Sequence, residues 1–492
     1  MSYILLEKKL KEIADLQYAI AVLHWDQETY MPIKSSASRS RQIATLSTLA
    51  HQKACSEELK NTIDAALEEN LTKEQKANVS LALKDYTKAV LLPEDFVNRL
   101  SLHTSEAYHA WVAARKQNDY SLFQEALTTM IELKREQASF YKTAHPYDAL
   151  LDEYEPGATV AQLDPLFKSL KEQLLPLLKR IKQAEQVDNS FLHKYYSQQQ
   201  QWDFSMQILQ HIGYDFEAGR QDFAEHPFTT SFSSQDVRIT TRVDEYDFSN
   251  LLWSSIHEAG HALYEQGLRD DMYGMPIGSA CSLSIHESQS RIWENNIGRG
   301  IHFWRYWFPI LQQQVDGFEN SSLQEFYAAI NKVSPSLIRT EADELTYHFH
   351  VMIRYELEKG LIEGTLHPKD LKQAWNDAYQ NYLGVCPQDD VTGILQDIHW
   401  SHGSFGYFPT YSLGSLYAAQ FYAFAKQTIP NLESAIEQGD TTEFLNWLRN
   451  SIHTFGRRYT SDELCKLVTG SSLDTQYFFD YAHNKYKDIY KF

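Results

Sequence analysis

The chain contains 492 residues, of which 43% are hydrophobic and 22% charged, the balance of a globular protein with two or three lobes. Its net charge of -20 argues against nucleic acid and anionic membranes as partners, because phosphate groups bind basic surfaces. We find neither a run of eighteen apolar residues nor a signal-peptide pattern, so we expect no membrane span. The four cysteines form no CxxC pair, so we expect no disulfide framework and a cytoplasmic location.

Residues 1–213 are predicted to be mainly helical, because apolar positions recur at the helical period between charged ones. In chain order, the predicted helices cover residues 3–24, 38–51, 56–70, 73–92, two or three segments of 93–142, 160–184 and 191–213. Residues 146–157, which are acidic and aromatic, are predicted to form a loop. Most of these helices have an ordinary amphipathic pattern and are expected to serve as scaffold.

The composition changes over residues 214–247. Residues 228–243 are rich in threonine, phenylalanine and valine around a turn-like segment at 233–236, which predicts a short β-hairpin. Residues 248–492 are again predicted to be mostly helical. The sequence therefore predicts a predominantly helical fold with a small β-sheet near the active site, and such strands could pair with an extended peptide.

A short motif, His257-Glu258-Ala259-Gly260-His261, lies inside an apolar run that is predicted to be a helix, with Ser249 or Asn250 as its N-cap. Residues four apart lie on one face of a helix, so both imidazoles can point at one metal ion. Glu258 flanks the same point and could take a proton from the attacking water. This arrangement is typical of a zinc hydrolase. The alternative is a helix that carries two partly buried histidines by chance.

A third ligand is expected on a later helix, because catalytic zinc usually has three protein ligands. The segment 282–296 starts with serine N-caps and carries two acidic candidates, Glu287 and Glu294. Glu287 is preferred because polar residues surround it near the helix start. Glu294 could instead orient a ligand histidine. Alternatively, Glu287 lies on a solvated face, as isolated acidic residues on helices usually do.

Six motifs occur in order along the chain: His226-Pro227-Phe228, Asp236-Val237-Arg238-Ile239-Thr240, His257-Glu258-Ala259-Gly260-His261, His286-Glu287-Ser288-Gln289, Ile338-Arg339-Thr340-Glu341-Ala342-Asp343 and Gly393-Ile394-Leu395-Gln396-Asp397-Ile398-His399-Trp400. These motifs resemble those of the carboxypeptidase Taq family of metallocarboxypeptidases, and the resemblance covers nearly the whole chain.

The resemblance implies one peptidase unit of two lobes around a deep groove, a saddle similar to neurolysin and angiotensin-converting enzyme. It divides into an N-terminal part (1–213), a hairpin region (214–247) and a metal-site part (248–492). The resemblance also implies a homodimer that removes single residues from the free C-termini of peptides with broad specificity. One metal ion per subunit is expected, zinc with cobalt as the alternative, and Glu287 is the third ligand beside His257 and His261.

Residues 402–411 look like the histidine-and-tyrosine loop that stabilises the oxyanion in neurolysin-like peptidases. Tyr411 is the preferred donor, followed by Tyr407, which could also contact substrate, and His402. The alternative for each tyrosine is aromatic packing. His226, Asp397 and His399 could contact substrate or orient ligands, but no firm role is assigned to them.

An exopeptidase must also bind a free carboxylate, for which an arginine offers a bidentate fork. Arg339 is the leading candidate and Arg238 the second. Each could instead form a structural ion pair with a nearby acid, Asp343 or Asp236 respectively.

Two other functions are compatible with the same residues. One is a zinc endo-oligopeptidase or dipeptidyl-peptidase on the same fold, and the carboxylate-binding arginine would distinguish it. The other is an inactive helical scaffold whose histidines are structural.

Overall fold

A computed structural model describes residues 2–492, and most of them are helical. Nine α-helices precede a small β-sheet: α1 Ser2–Thr29, α2 Ser36–Ala54, α3 Glu57–Leu67, α4 Lys73–Leu91, α5 Glu94–Gln117, α6 Ser121–Tyr141, α7 Pro146–Tyr154, α8 Val160–Gln183 and α9 Gln198–His211. Eleven follow it: α10 Phe248–Gln266, α11 Leu283–Arg291, α12 Ile301–Gln314, α13 Leu323–Ile330, α14 Tyr347–Glu363, α15 Leu371–Tyr382, α16 Pro409–Thr428, α17 Leu432–Glu437, α18 Thr442–Ser451, α19 Ser461–Thr469 and α20 Thr475–Tyr490. Within residues 2–492, no helix has both the length and the apolar character needed to cross a membrane.

The chain forms two compact units that are each built from separate segments. The first unit contains the chain up to Val90, Asp188–Ile330 and Tyr417–Leu473. The second contains Leu91–Val187, Asn331–Leu416 and Asp474–Phe492. The histidine motif and the β-sheet belong to the first unit, whereas Arg339 and the loop with Tyr411 belong to the second.

The predicted helices are present, and the largest errors concern where helices begin and end. The predicted loop at 146–157 is wrong, because α7 covers Pro146–Tyr154. Proline suits the first helical position. The imidazole of His145 caps the helix by accepting a hydrogen bond from the Tyr147 amide at 3.1 Å. The acidic and aromatic composition of residues 146–157 therefore misled the prediction, because this segment contains a well-capped helix.

Two other helix boundaries differ from the prediction. The first helix continues to Thr29 rather than ending near residue 24. The predicted helix at 191–213 starts only at Gln198, after a short 3₁₀ turn at Ser190–His193. Between them, the Tyr196 amide donates to the Glu245 carbonyl at 2.7 Å, a long-range bond that replaces the helical one.

The sheet has three strands, β1 Gly219–Phe223, β2 Thr229–Ser233 and β3 Asp236–Thr241, in the order β1-β3-β2. β2 and β3 pair antiparallel, so the predicted hairpin is confirmed. β1 pairs in parallel with β3 and was not predicted. Both β2 and β3 contact α10, which places the sheet next to the histidine motif.

Helix α10 is buried along most of its length and packs on α9, α11 and the sheet. Its N-cap is Asp247, whose carboxylate accepts from the Ser249 amide at 2.9 Å, so the predicted caps Ser249 and Asn250 are wrong. At Gly260, an added Cβ would lie 2.6 Å from Ser290 Cα and 2.7 Å from the Gln289 carbonyl oxygen. The two helix backbones can therefore meet only because residue 260 is glycine.

We expect Gly260→Ala to destabilise the protein by about 1–3 kcal/mol, because the methyl group must push α11 away from α10. The thermal unfolding midpoint and metal affinity should both fall. Gly360→Ala in α14 is a matched control, since the nearest atoms to its Cβ belong to residues 365 and 366, at 3.2 Å or more, and alanine favours a helix. Equal stability of the two variants would contradict the close-packing argument.

Candidate metal centre

Three side chains converge in the first unit. His257 and His261 lie one turn apart on α10, and Glu287 lies on α11, whose N-cap Ser282 accepts from the Ile285 amide at 3.1 Å. Glu287 Oε2 is 3.6 Å from His257 Nε2 and 3.4 Å from His261 Nε2. One donor atom from each residue lies within 4.8 Å of the others, which is the spacing that a single metal ion bridges.

The other ring nitrogen of each histidine is already held by an acceptor. His257 Nδ1 lies 2.8 Å from Glu294 Oε2, and His261 Nδ1 lies 3.0 Å from the His286 carbonyl oxygen. Since both acceptors require a proton on Nδ1, the lone pair of each ring is on Nε2, towards Glu287. Two neutral imidazoles and one carboxylate oxygen are the ligand set of a catalytic zinc site, so these residues fit a zinc ion.

Arg291 links the two carboxylates. Its Nε is 2.7 Å from Glu287 Oε1, and its Nη1 is 3.2 Å from Glu294 Oε2. Burial disfavours the ionised form of Glu287, but the charge of Arg291 and of the histidines outweighs it and holds the pKa of Glu287 well below its usual range. The same balance lowers the pKa of Glu294 to about 2. Because Arg291 holds Oε1, Glu287 presents Oε2 alone to the histidines.

The two histidines differ in their electrostatic surroundings. Burial lowers the pKa of His261 to about 4, so its ring is neutral at neutral pH. Burial also acts on His257, but the charges of Glu287 and Glu294 outweigh it and raise the pKa of His257. As the pH falls, His257 is therefore protonated before His261, and a proton on His257 competes with a metal ion for its ring.

Glu258 lies beside the ligands and is buried, which raises its pKa. Its Oε2 accepts a hydrogen bond from Thr229 Oγ1 on β2 at 2.6 Å. The sheet thus contributes directly to this site by holding one oxygen of Glu258. A buried carboxylate with a raised pKa is a stronger base than an exposed glutamate and is suited to proton transfer.

Arg339 is buried in the second unit, 5% exposed, within an ionic cluster. Its Nη2 is 2.8 Å from Asp397 Oδ1, and its Nη1 donates to the Tyr347 hydroxyl at 2.8 Å. Arg354 approaches the other oxygen of Asp397 at 2.5 Å. The predicted alternative of an ion pair between Arg339 and Asp343 is wrong, because the Asp343 carboxylate instead accepts from the Thr346 hydroxyl and amide.

The loop after this cluster carries the three candidate oxyanion donors. The Tyr411 hydroxyl lies 3.2 Å from His399 Nε2, and the Arg339 guanidinium lies over the Tyr411 ring at 4.9 Å. Tyr407 packs edge-on against Tyr154 at 5.1 Å between ring centroids. His402 is exposed and stacks on a tyrosine of α5 at 5.7 Å. Tyr411 therefore contacts Arg339 itself, whereas the Tyr407 ring packs against His399 and Tyr411 at 5.3 and 5.2 Å between centroids.

Arg238, on β3, forms an ion pair with Asp236, which is the structural alternative that the sequence offers for this arginine. Its Nε and Nη2 each lie 2.8 Å from a different oxygen of Asp236. Its guanidinium also lies over the Trp25 ring at 4.4 Å. His226, to which no firm role was assigned, is exposed just before β2.

Thr229 and Arg291 contact the site but were not identified from the sequence. Arg291 lies four residues after Glu287 on α11, a spacing that favours an ion pair, so this signal was available. Thr229 lies 29 residues before Glu258 and reaches it only through the packing of β2 on α10. No local pattern indicates such a contact.

Comparison with known proteins agrees with the fold and identifies the family. Residues 5–486 match the family model described as carboxypeptidase Taq (M32) metallopeptidase. Carboxypeptidase 1 of Bacillus subtilis is 40% identical over 98% of this chain and 97% of its own length. Thermostable carboxypeptidase 1 of Thermus thermophilus is also 40% identical, with the same coverage. The crystal structure of the M32 carboxypeptidase from Deinococcus radiodurans R1 is 38% identical, covers both chains completely and superposes with a TM-score of 0.98.

The helical fold and the histidine–glutamate site define a metal-dependent peptidase, which is an enzyme of the peptide-hydrolase class. The chain belongs to the carboxypeptidase Taq family of metallopeptidases.

We expect Asp397→Asn to reduce the free energy of unfolding by about 3–5 kcal/mol, because two buried guanidinium groups lose their shared carboxylate. Denaturant unfolding measures this loss. Asp390→Asn is the matched control: Asp390 is also buried in the second unit, but its partner Lys372 is half exposed and can be hydrated. The charge-cluster interpretation fails if both variants lose the same stability.

Proposed function

We propose that this enzyme is a zinc carboxypeptidase that removes single C-terminal residues from peptides with broad specificity. The observation that carries the proposal is the convergence of His257, His261 and Glu287 on one point. The names of the relatives, which are carboxypeptidases, support the reaction type.

In this proposal the Nε2 atoms of His257 and His261 and Oε2 of Glu287 hold one metal ion per chain. Zinc suits two imidazoles and a carboxylate, and cobalt is an alternative for the same ligands. When bound, the metal acidifies a water molecule and polarises the carbonyl of the scissile peptide bond. Glu294 and Arg291 keep the ligands oriented.

Glu258 is the proposed general base. Its free carboxylate oxygen takes a proton from the attacking water and later donates that proton to the nitrogen of the leaving amino acid. The Thr229 hydroxyl bonds the other oxygen and so directs the reactive one. Burial raises the pKa of Glu258, which makes the carboxylate a stronger base than an exposed glutamate.

Tyr411 is the proposed donor to the oxyanion that forms on the scissile carbonyl. Its contact with His399 and its position under Arg339 limit the directions of its hydroxyl. Tyr407 and His402 are kept as further candidates for this loop, Tyr407 also as a substrate contact.

Arg339 is the proposed site for the substrate carboxylate. The cluster around it contains two guanidinium groups, Arg339 and Arg354, but one carboxylate, Asp397. The resulting excess of positive charge favours an incoming anion. Arg238 is the weaker candidate, because the single carboxylate of Asp236 already takes both arms of its fork.

We also propose that the enzyme acts as a homodimer in the cytoplasm. All four cysteines are free thiols in the structure, which suits a reducing compartment. The net charge of -20 disfavours nucleic acid as a partner.

Timed mass spectrometry of one unblocked peptide should show a ladder of single C-terminal losses that stops when a chelator is added. The same peptide with an amidated C-terminus should be cut far more slowly, and Arg339→Ala should remove most of this preference by raising KM for the free acid. Cleavage of both peptides at equal rates would instead favour an endopeptidase. An unchanged rate in Glu258→Gln would indicate an inactive scaffold with a contaminating activity.

We expect Thr229→Val to move the acid limb of the pH profile of kcat/KM to higher pH. The hydroxyl stabilises the ionised form of Glu258, so its loss raises the pKa of this group, and a base works only when deprotonated. Thr229→Ser keeps the hydroxyl and is the matched control. A valine variant whose acid limb coincides with that of the parent enzyme would contradict this role of Thr229.

A further inference from the structure

His286, which precedes the ligand Glu287 on α11, points its ring at the back of His261. The Nδ1 atoms of the two rings are 2.6 Å apart. On the other side, His286 Nε2 lies 2.8 Å from Glu265 Oε1, one turn after His261 on α10. These three side chains form a continuous hydrogen-bonded line that ends at the proposed metal ligand.

The direction of each bond follows from two groups that can only accept. The His286 carbonyl oxygen lies 3.0 Å from His261 Nδ1, so that nitrogen carries the proton. The Glu265 carboxylate accepts from His286 Nε2, which leaves the His286 Nδ1 lone pair free to accept from His261. Both constraints agree on one assignment, in which the lone pair of His261 is on Nε2.

The ring of His286 is itself held in place. It packs edge-on against Tyr264 at 5.4 Å between centroids, and the Tyr264 hydroxyl accepts from the Cys281 amide at 3.0 Å. Although burial opposes it, the hydrogen bond from His286 favours the ionised carboxylate and lowers the pKa of Glu265, so the far end of the line stays an ionised acceptor. An acceptor that is both fixed and charged can orient the histidine that donates to it.

We propose that Glu265 and His286 are positioning residues that set the tautomer and orientation of His261 through an imidazole–imidazole hydrogen bond. The inference rests on the proposed ligand set. His257 receives its carboxylate partner, Glu294, directly, whereas His261 receives Glu265 through the ring of His286. One hydrogen bond thus links His257 to its carboxylate, whereas two hydrogen bonds in series link His261 to its carboxylate.

The first test measures zinc affinity by competition with a chelator. His286→Leu removes the ring acceptor and should weaken zinc binding by about 10-fold, the lower end of the range for losing a partner of a ligand histidine, because the backbone carbonyl still accepts. His286→Asn keeps an acceptor close to the position of Nδ1 and should restore affinity to within about threefold of the parent. Glu265→Leu, which leaves α11 untouched, should fall between the two.

The matched control is another histidine–glutamate pair in the same unit, His302 Nδ1 and Glu437 Oε1 at 2.5 Å. It contacts none of the proposed ligands in the contacts described above, so His302→Leu should keep the parent affinity. The thermal unfolding midpoint of each metal-free variant shows whether it is folded. Parent affinity in both folded variants, His286→Leu and Glu265→Leu, would overturn the proposal.

The second readout needs no metal. Nitrogen-15 NMR of histidine-labelled, metal-free protein reports which ring nitrogen carries the proton. His261 should be in the Nδ1–H form in the parent and in His286→Asn, and a mixture of tautomers in His286→Leu. If the parent binds no zinc, the proposed function fails while the tautomer still tests the positioning role. If the parent binds zinc but its His261 has the other tautomer, the positioning role alone fails.

Discussion

The candidate metal centre depends on the close contact of α10 and α11 at Gly260. The backbone around Ser290 occupies the space that a side chain at position 260 would need. This contact brings Glu287, one turn before Ser290, within reach of the two histidines on either side of Gly260. The glycine inside the motif therefore does more than separate two ligands, because it sets the distance between the helices that carry all three.

Helix α11 and the turn after it supply the proposed ligand Glu287 and also groups that hold the two histidines. The backbone of His286 accepts from His261, and Glu294 accepts from His257. Arg291 then bonds both Glu287 and Glu294. Because a single segment carries these groups, a shift of α11 away from α10 would loosen all three ligands together. The geometry of the centre is thus a cooperative property of one helix pair.

Much of this centre follows from sequence spacing, and the remainder depends on contacts between distant residues. The histidine pair, Glu258 and Glu287 follow from helical periodicity and from a search for a third ligand. Arg291 was not predicted, although its spacing of four residues from Glu287 favours an ion pair. Thr229 has no such signal, because its contact with Glu258 depends on how β2 packs on α10. The partner of Arg339 is a similar case: Asp343 is near in sequence, but Asp397, 58 residues away, forms the pair.

The fold shows the same division. The hairpin of β2 and β3 has a local turn signal and is predicted, whereas β1 pairs with β3 in parallel and has no adjacent turn to indicate it. The helix α7 is missed because its cap is an imidazole, an unusual acceptor at that position. Local sequence rules thus predict elements whose hydrogen bonds join neighbouring residues. They fail where a contact with a residue far along the chain determines the structure.

The two ionic clusters have opposite charge imbalances, and this difference has a chemical consequence. In the first unit, carboxylates outnumber guanidinium groups around the histidines, with Glu258, Glu287 and Glu294 beside Arg291 and Arg299. In the second unit, two guanidinium groups share Asp397. Buried charge is stable only when it is compensated. Under the proposed function, a metal cation would compensate the first cluster, and the carboxylate at the free end of a peptide would compensate the second.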